Sequence, residues 1–241
     1  MARILQAAWL ALAALTLPGC AFAEDKAPDY RYRLTVEVET PEGVKTGSSV
    51  IEVEQSMGRA GGSPLHSQIY RRIQGEAVAV DMPGGKTLFA LLRSDNDIEW
   101  ASKVMFMLAP DVAGETGDEK FDNMLLIKGK IEVPRTFPPV AWIPERSAYP
   151  MMVTFGDLAD PTSVAEVDPD DLATIFGEGV KLKRITVELT DDPVTTGIEE
   201  RLDWLRSLWP NKLNGDRFED FDKPELAARL SSNSFSTEVK K

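Results

Sequence analysis

The chain has 241 residues, of which 43% are hydrophobic and 27% are charged, and its 27 Lys and Arg against 39 Asp and Glu give a formal net charge of −12. The hydrophobic fraction is typical of a globular protein and excludes a wholly disordered chain. A single Cys and a single His exclude an internal disulfide and a structural zinc site of four Cys or His ligands, and the acidic balance argues against a nucleic-acid partner, which needs a basic face.

The N-terminus has the pattern of an export signal. Arg3 is the only charged side chain among the first 23 residues, and an apolar run follows it from Ile4 to Leu17. This run is shorter than the roughly 20 residues that a membrane-spanning helix needs, but it has the length of the hydrophobic region of a signal peptide. We therefore predict that residues 1–19 are a signal peptide.

Two cleavage sites are compatible with this signal. Leu17-Pro18-Gly19-Cys20 resembles the lipobox of bacterial lipoproteins, in which the Cys is lipidated and becomes the first residue of the mature chain. Ala21-Phe22-Ala23 instead fits an A-x-A site, which extends the signal to 1–23 and releases a chain that begins at Glu24. Pro18 is unusual in a lipobox, but the only Cys of the chain lies where a lipobox requires it. We expect lipidation at Cys20 and keep cleavage before Glu24 as the alternative.

A lipidated Cys20 predicts a protein held at the cell envelope through its acyl chains, each buried CH₂ of which contributes about 0.8 kcal/mol. Ala21 follows the Cys, which in lipoproteins of Gram-negative bacteria permits transfer to the outer membrane, with the body facing the periplasm. Cleavage before Glu24 predicts a soluble periplasmic or secreted protein instead. Residues 20–30 are predicted to be a polar tether of at most about 33 Å. Because the mature charge is −13, an anionic leaflet repels the body, and we expect the tether alone to hold it there.

Residues 31–230 are predicted to form a single α+β globular domain, and the polar residues 231–241 a disordered tail. Alternation of apolar and polar residues predicts a hairpin at 31–55 and further strands at 78–82 and 184–189. The continuous apolar run at 87–92 predicts a buried strand, and residues 151–155 are predicted to form a short strand. Pro83-Gly84-Gly85 is predicted to be the turn between two of these strands. Because tight turns separate neighbouring strands in the first half, we predict a mainly antiparallel sheet with three or four short helices packed on it.

Capping patterns predict the helices. Asn96 with Glu99 has the spacing of a capping box and precedes an apolar face of Ile98, Ala101, Met105 and Leu108. Asp168 before Pro169 predicts a short helix that ends at Gly177. A third helix is predicted after Thr196, and a weaker one at 224–230. Residues 125–127 are a strand candidate, with a helix that begins near Asp122 as the alternative.

No catalytic grouping is evident in the sequence. Gly84-Gly85-Lys86-Thr87 ends like a phosphate-binding loop, but Val80 stands where the first Gly is required and a strand follows. His66 is the only His that a catalytic triad could use, and no nucleophile elbow accompanies it. The acidic clusters lack the pattern of a calcium loop. We therefore predict no catalytic residue, no metal ligand and no cofactor.

The Pro-rich segment 134–150 is the one unusual feature of the mature chain. It contains five prolines with Phe137, Trp142 and Tyr149 between them, so it cannot form a regular helix or a central strand. The functional interpretation is a surface of these aromatic residues that binds a ligand or a partner. The simpler interpretation, which we favour, is an arm whose aromatics pack on the sheet.

Four stretches, 32–53, 75–92, 153–172 and 184–205, together resemble a family of uncharacterised exported proteins of alphaproteobacteria, many of which begin with a lipoprotein signal. The resemblance covers most of the mature chain and carries no activity, ligand or site residue with it. We therefore expect an envelope lipoprotein with a non-catalytic binding or structural domain, attached to a membrane through Cys20. The alternative is an exported hydrolase that uses carboxylates, since such an enzyme needs neither His nor Cys.

The position of the mature N-terminus tests the localisation. We expect mass spectrometry of the mature protein to find an acylated Cys20 as its first residue, because the lipobox pattern directs cleavage there. A free Glu24 at the N-terminus would show that the chain is released without a lipid anchor.

Overall fold

The computed structural model describes residues 27–59, 67–115, 117–138, 146–218 and 225–240. The strands within these residues are β1 Tyr30–Thr40, β2 Gly43–Arg59, β3 Ser67–Gln74, β4 Val78–Asp81, β5 Thr87–Ala90, β6 Ile131–Glu132, β7 Thr136–Phe137, β8 Arg146–Ser147, β9 Met152–Phe155, β10 Val164–Glu166 and β11 Lys181–Leu189. The α-helices of the same residues are α1 Trp100–Met107, α2 Ala173–Phe176, α3 Leu205–Leu208 and α4 Leu226–Arg229.

These strands form two antiparallel sheets and one small ladder. The large sheet has the order β3-β2-β1-β11-β6, and the small sheet has the order β10-β9-β5-β4. Strands β7 and β8 lie near the two ends of the Pro-rich segment and pair with each other. The fold is mostly antiparallel and consistent with the predicted α+β class, although its helices are few and short.

The first hydrophobic cluster lies between the two sheets. Alternate residues of β1, namely Tyr32, Leu34, Val36 and Val38, are at most 1% exposed, and they pack with inward-facing residues of the small sheet and with α1. The sheets approach closely at Gly47 of β2, where a Cβ atom would overlap the backbone oxygen of Ala79 in β4. A side chain at position 47 would therefore push the sheets apart.

Helix α1 closes one end of this cluster, and it begins later than the capping box predicts. Trp100 is 2% exposed, and its indole Nε1 donates to the carbonyl of Ala148 at 2.9 Å. Asn96 is not the N-cap, because Asp97 forms a turn first and accepts from the backbone N–H of Glu99 at 2.9 Å. This turn leaves Ile98 74% exposed, so its placement on the buried face was wrong.

The second hydrophobic cluster lies on the other face of the small sheet. Phe89 of β5 and Phe155 of β9 meet edge to face at 5.7 Å between ring centroids. Trp204 and Phe235 cover them. The ring centroid of Trp204 lies 5.6 Å from that of Phe155, and the ring centroid of Phe235 lies 6.1 Å from that of Phe89. A C-terminal layer, from Ile198 to Val239, therefore buries this face of the sheet.

The prediction of a disordered tail at 231–241 is wrong for the described residues. Phe235 is fully buried and Val239 is 5% exposed. Hydrogen bonds compensate for the burial of the serines in this segment. The Ser232 hydroxyl, for example, donates to the carbonyl of Leu205 at 2.7 Å. The backbone N–H of Ala77 donates to the carbonyl of Phe235 at 2.7 Å, which ties the segment to the start of β4.

The predicted tether 20–30 is shorter than expected. Ala27 is only 4% exposed, and the Asp29 carboxylate accepts from the backbone N–H of Gln55 at 2.7 Å. The Gln55 side-chain amide donates to the carbonyl of Pro28 at 2.9 Å. The chain is therefore fixed to β2 from residue 27 onward, and the packed part of the domain extends beyond 31–230 at both ends.

Two other helix starts differ from the prediction. Asp168 accepts from the backbone N–H of Asp170 at 2.8 Å, so it forms a turn, and α2 begins only at Ala173, although it ends before Gly177 as predicted. Thr196 caps nothing, because Gly197 with φ +119° precedes a short 3-10 turn. Residues 123–126 form a 3-10 turn after Asp122, which agrees with the alternative of a helical start near Asp122 and not with the strand candidate 125–127. Helix α4 confirms the weak helix predicted at 224–230.

We expect Phe235→Ala to lower the free energy of unfolding by about 3–5 kcal/mol, because it leaves a cavity among three other aromatic rings. Phe218→Ala is the matched control: Phe218 is 77% exposed, and we expect a change within about 0.5 kcal/mol. Urea unfolding followed by tryptophan fluorescence measures both. Equal small effects would mean that the C-terminal segment does not cover the small sheet.

Candidate functional site

The aromatic residues predicted to form a binding surface do not have the same environment. Phe137 is 5% exposed and belongs to the first hydrophobic cluster. Tyr149 is half-buried, and the guanidinium of Arg135 lies 5.2 Å from its ring centroid. Trp142 lies outside the described residues, as do Cys20 and His66. Phe137 therefore packs on the sheet, which is what the simpler interpretation of the segment expected.

A cavity of about 300 Å³ lies where the base of β3, the loop after β5 and the C-terminal layer meet. We call it the basic cavity. Its walls carry three basic side chains, two serines, one asparagine and three apolar residues: Arg93, Lys212, Arg229, Ser231, Ser234, Asn233, Ile73, Leu92 and Ile98.

Backbone hydrogen bonds of the loop after β5 fix the position of Arg93. The carbonyl of Arg93 accepts from the backbone N–H of Met151 at 2.8 Å, and the N–H of Leu92 donates to the carbonyl of Ser234 at 3.0 Å. The Arg93 Nε donates to the carbonyl of Ser94 at 3.2 Å. The backbone that carries this guanidinium is therefore held between β9 and the C-terminal layer.

Lys212 and Arg229 lie on two chain segments that hydrogen-bond to each other. The N–H of Leu213 donates to the carbonyl of Leu230 at 3.0 Å, and Lys212 forms an isolated antiparallel bridge with Ser231. The Lys212 Nζ donates to the carbonyl of Arg229 at 3.1 Å. Arg229 is the last residue of α4. These contacts hold together the two segments whose cations line the cavity.

The polar floor of the cavity is built by the turn that follows α4. Ser231 and Ser234 form a reciprocal capping box around a 3-10 turn. Asn233 is exposed at the rim, whereas Ser234 is 7% exposed. The site therefore offers hydroxyl and amide groups beside its cations, and Ile73 and Leu92 supply apolar walls.

Basic side chains line the basic cavity, and an acidic side chain, Glu166, lies beside it. Among the residues that the structure describes, no Asp or Glu lines it. Glu166 of β10 lies near Arg229, and its pKa is raised above the ordinary value by burial and by the charge of Asp95, while Arg229 opposes the shift. The three cations are each half-buried, so water screens them less than it screens exposed charges.

This arrangement is suited to binding an anion. Guanidinium and ammonium groups form charge-assisted hydrogen bonds with phosphate or carboxylate oxygens, and Arg does so in a bidentate geometry. The part of the lining that the structure describes contains hydroxyl groups but no His, Asp or Glu that would act as their general base. Among the described residues, no group of three or more His, Cys, Asp or Glu is placed to hold a metal ion.

Sequence reasoning missed this site because its residues share no motif. Arg93 follows a buried strand, Lys212 lies in a loop and Arg229 ends a four-residue helix. Only the return of the chain over the small sheet brings the three together.

Comparison with models of protein families, with curated proteins and with solved structures found no match.

Proposed function

We propose that the protein is an envelope lipoprotein, anchored through Cys20 and facing the periplasm, whose domain binds a small anionic ligand in the basic cavity without transforming it. The observation that carries the proposal is the convergence of Arg93, Lys212 and Arg229 on one cavity that no carboxylate of the described residues lines. Such a concave cationic site concentrates field lines and attracts anions, even in a protein whose net charge is −12.

The anchoring part of the proposal is supported by the N-terminal sequence. The apolar run before Cys20 and the resemblance to exported proteins of alphaproteobacteria both favour export. Among the described residues, no helix is long and apolar enough to cross a bilayer. The lipid on Cys20 is the proposed membrane attachment, and the outer membrane is its proposed location.

The binding part is tested with inorganic phosphate as the probe. At a phosphate concentration ten times the Kd, a single site stabilises the fold by about 1.4 kcal/mol, which raises the Tm by roughly 3–6 °C for a chain of this size. We expect this rise in the mature protein when phosphate replaces chloride at constant ionic strength. Differential scanning calorimetry measures it.

Arg229→Gln should remove most of the phosphate-dependent rise, because the substitution deletes one cation of the cavity and leaves the backbone carbonyl that Lys212 binds. Arg206→Gln is the matched control, since Arg206 is exposed on α3 and does not line the cavity. An equal rise in the mature protein and in Arg229→Gln would show a general salt effect and contradict the proposal.

A second candidate is a hydrolase that uses Glu166. A general acid needs a carboxyl group whose pKa lies above its ordinary value, and Glu166 meets this condition beside the basic cavity. If the domain only binds its ligand, the hydrolysis of p-nitrophenyl phosphate or of nitrophenyl glycosides stays at background for the mature protein and for Glu166→Gln. Turnover that is lost in Glu166→Gln but kept in Glu178→Gln, an exposed control, would establish the hydrolase instead.

A further inference from the structure

The segment 229–234, which follows α4, brings several hydrogen-bond donors to the basic cavity. We call it the donor segment. Its residues that line the cavity are Arg229, Ser231, Asn233 and Ser234. The guanidinium of Arg229 is half-buried, and within the described part of the chain it forms neither a side-chain hydrogen bond nor an ion pair. The Asn233 amide likewise bonds to no described residue. Both groups are therefore available to a bound ligand.

The two serines of the donor segment have hydroxyl protons that no described residue accepts. In their capping box, the Ser231 Oγ accepts from the backbone N–H of Ser234, and the Ser234 Oγ accepts from the N–H of Ser231 at 3.5 Å. Each hydroxyl oxygen is thus used as an acceptor, and each O–H is left to donate. Ser234 is only 7% exposed. Because a buried donor without an acceptor is costly, this hydroxyl points to a ligand that accepts hydrogen bonds.

The donors and charges favour a phosphate group over a carboxylate. Arg93 and Lys212 add two cations to that of Arg229, and no Asp or Glu of the described residues lines the cavity. Three cations attract a dianion more strongly than a monoanion. A phosphate monoester carries a charge between about −1.5 and −2 at neutral pH and has three strong acceptor oxygens. It can therefore accept from guanidinium, hydroxyl and amide groups at the same time.

The rest of the lining is apolar and includes an isoleucine that is held in contact with water. Ile73, Leu92 and Ile98 line the cavity, and Ile98 is 74% exposed. The turn that carries Ile98 is fixed, because the Ser94 hydroxyl oxygen accepts from the backbone N–H of Asp97 at 3.1 Å. An apolar group of a ligand would remove this side chain from water, which a phosphate ion alone cannot do.

The size of the cavity also favours an organic ligand. Its volume of about 300 Å³ lies at the lower end of the roughly 300–1,000 Å³ that sites for small organic molecules occupy. An inorganic phosphate ion is much smaller than such molecules. The cavity therefore has room for a short organic group beside the phosphate, but not for a long chain.

We propose that the ligand of the basic cavity is a phosphate monoester of a short apolar alcohol. Its phosphate group binds the donor segment together with Arg93 and Lys212, and its apolar group lies against Ile98, Ile73 and Leu92. The inference rests on the proposed function, which places an anion in this cavity, and it specifies the chemical class of that anion.

The test is isothermal titration calorimetry of the mature protein with inorganic phosphate, ethyl phosphate and n-butyl phosphate at constant ionic strength. Each methylene that is buried raises the affinity roughly fourfold. We therefore expect n-butyl phosphate to bind roughly fifteenfold more tightly than ethyl phosphate.

Ile98→Ser should reduce this preference for the butyl ester severalfold and leave the Kd of inorganic phosphate unchanged, because it alters only the apolar wall. Leu126→Ser is the matched control, since Leu126 is 48% exposed on a 3-10 turn and does not line the cavity. We expect this control to keep the preference of the parent protein.

Asn233→Ala should weaken all three ligands by the same severalfold factor, because it removes a donor to the phosphate group that they share. A polar variant and an apolar variant are thus expected to separate the two halves of the site. Ile98 and Asn233 are both exposed, so both variants are expected to fold, and circular dichroism verifies this.

The outcomes separate this inference from the proposed function. Equal affinities for ethyl and n-butyl phosphate, or an unchanged preference in Ile98→Ser, would overturn the monoester inference. The proposed anion site would still stand in that case if inorganic phosphate binds and Arg229→Gln weakens it. If none of the three ligands binds, both the inference and the proposed function are wrong.

Discussion

Burial of the small sheet on both of its faces is the constraint on which the rest of the structure depends. All four residues of β5, and all four of β9, are buried. A sheet that is apolar on both faces needs a cover on each side. The large sheet covers one face with the alternate residues of β1, and the C-terminal layer covers the other with Trp204, Leu205 and Phe235. Each fully buried side chain of this size contributes roughly 1.5–3 kcal/mol to the stability of the fold. The fold therefore needs both covers.

The basic cavity follows from this constraint. To cover Phe89 and Phe155, the chain after β11 crosses the small sheet, turns at Lys212 and returns through α4 to the segment at Phe235. The backbone N–H of Leu92 bonds to the carbonyl of Ser234 where this return ends. Lys212 and Arg229 consequently line the same cavity as Arg93. The three cations line one cavity because segments that are distant in the sequence pack together there. No local pattern in the sequence predicts this.

The parts of the fold that depend on local pattern were predictable, and the parts that depend on distant partners were not. Alternation identified β1, the first half of β2, β4 and β11, because in each strand one face is apolar. Strand β3 escaped prediction because its Arg71 packs on Phe106 and its exposed side carries Tyr70. The segment 231–240 appeared disordered because serines dominate it, yet Ser232 and Ser236 bond to groups of the C-terminal layer. Asn96 and Thr196 have the right neighbours for caps, but turns at Asp97 and Gly197 take their place.

The distribution of charge matters more to this protein than its sum. A net charge of −12 argues for repulsion from any anionic surface or ligand, but Coulomb interactions decay within about 10 Å at ordinary ionic strength, so a local cluster decides what binds nearby. The basic cavity is such a cluster, since Arg93, Lys212 and Arg229 line it together.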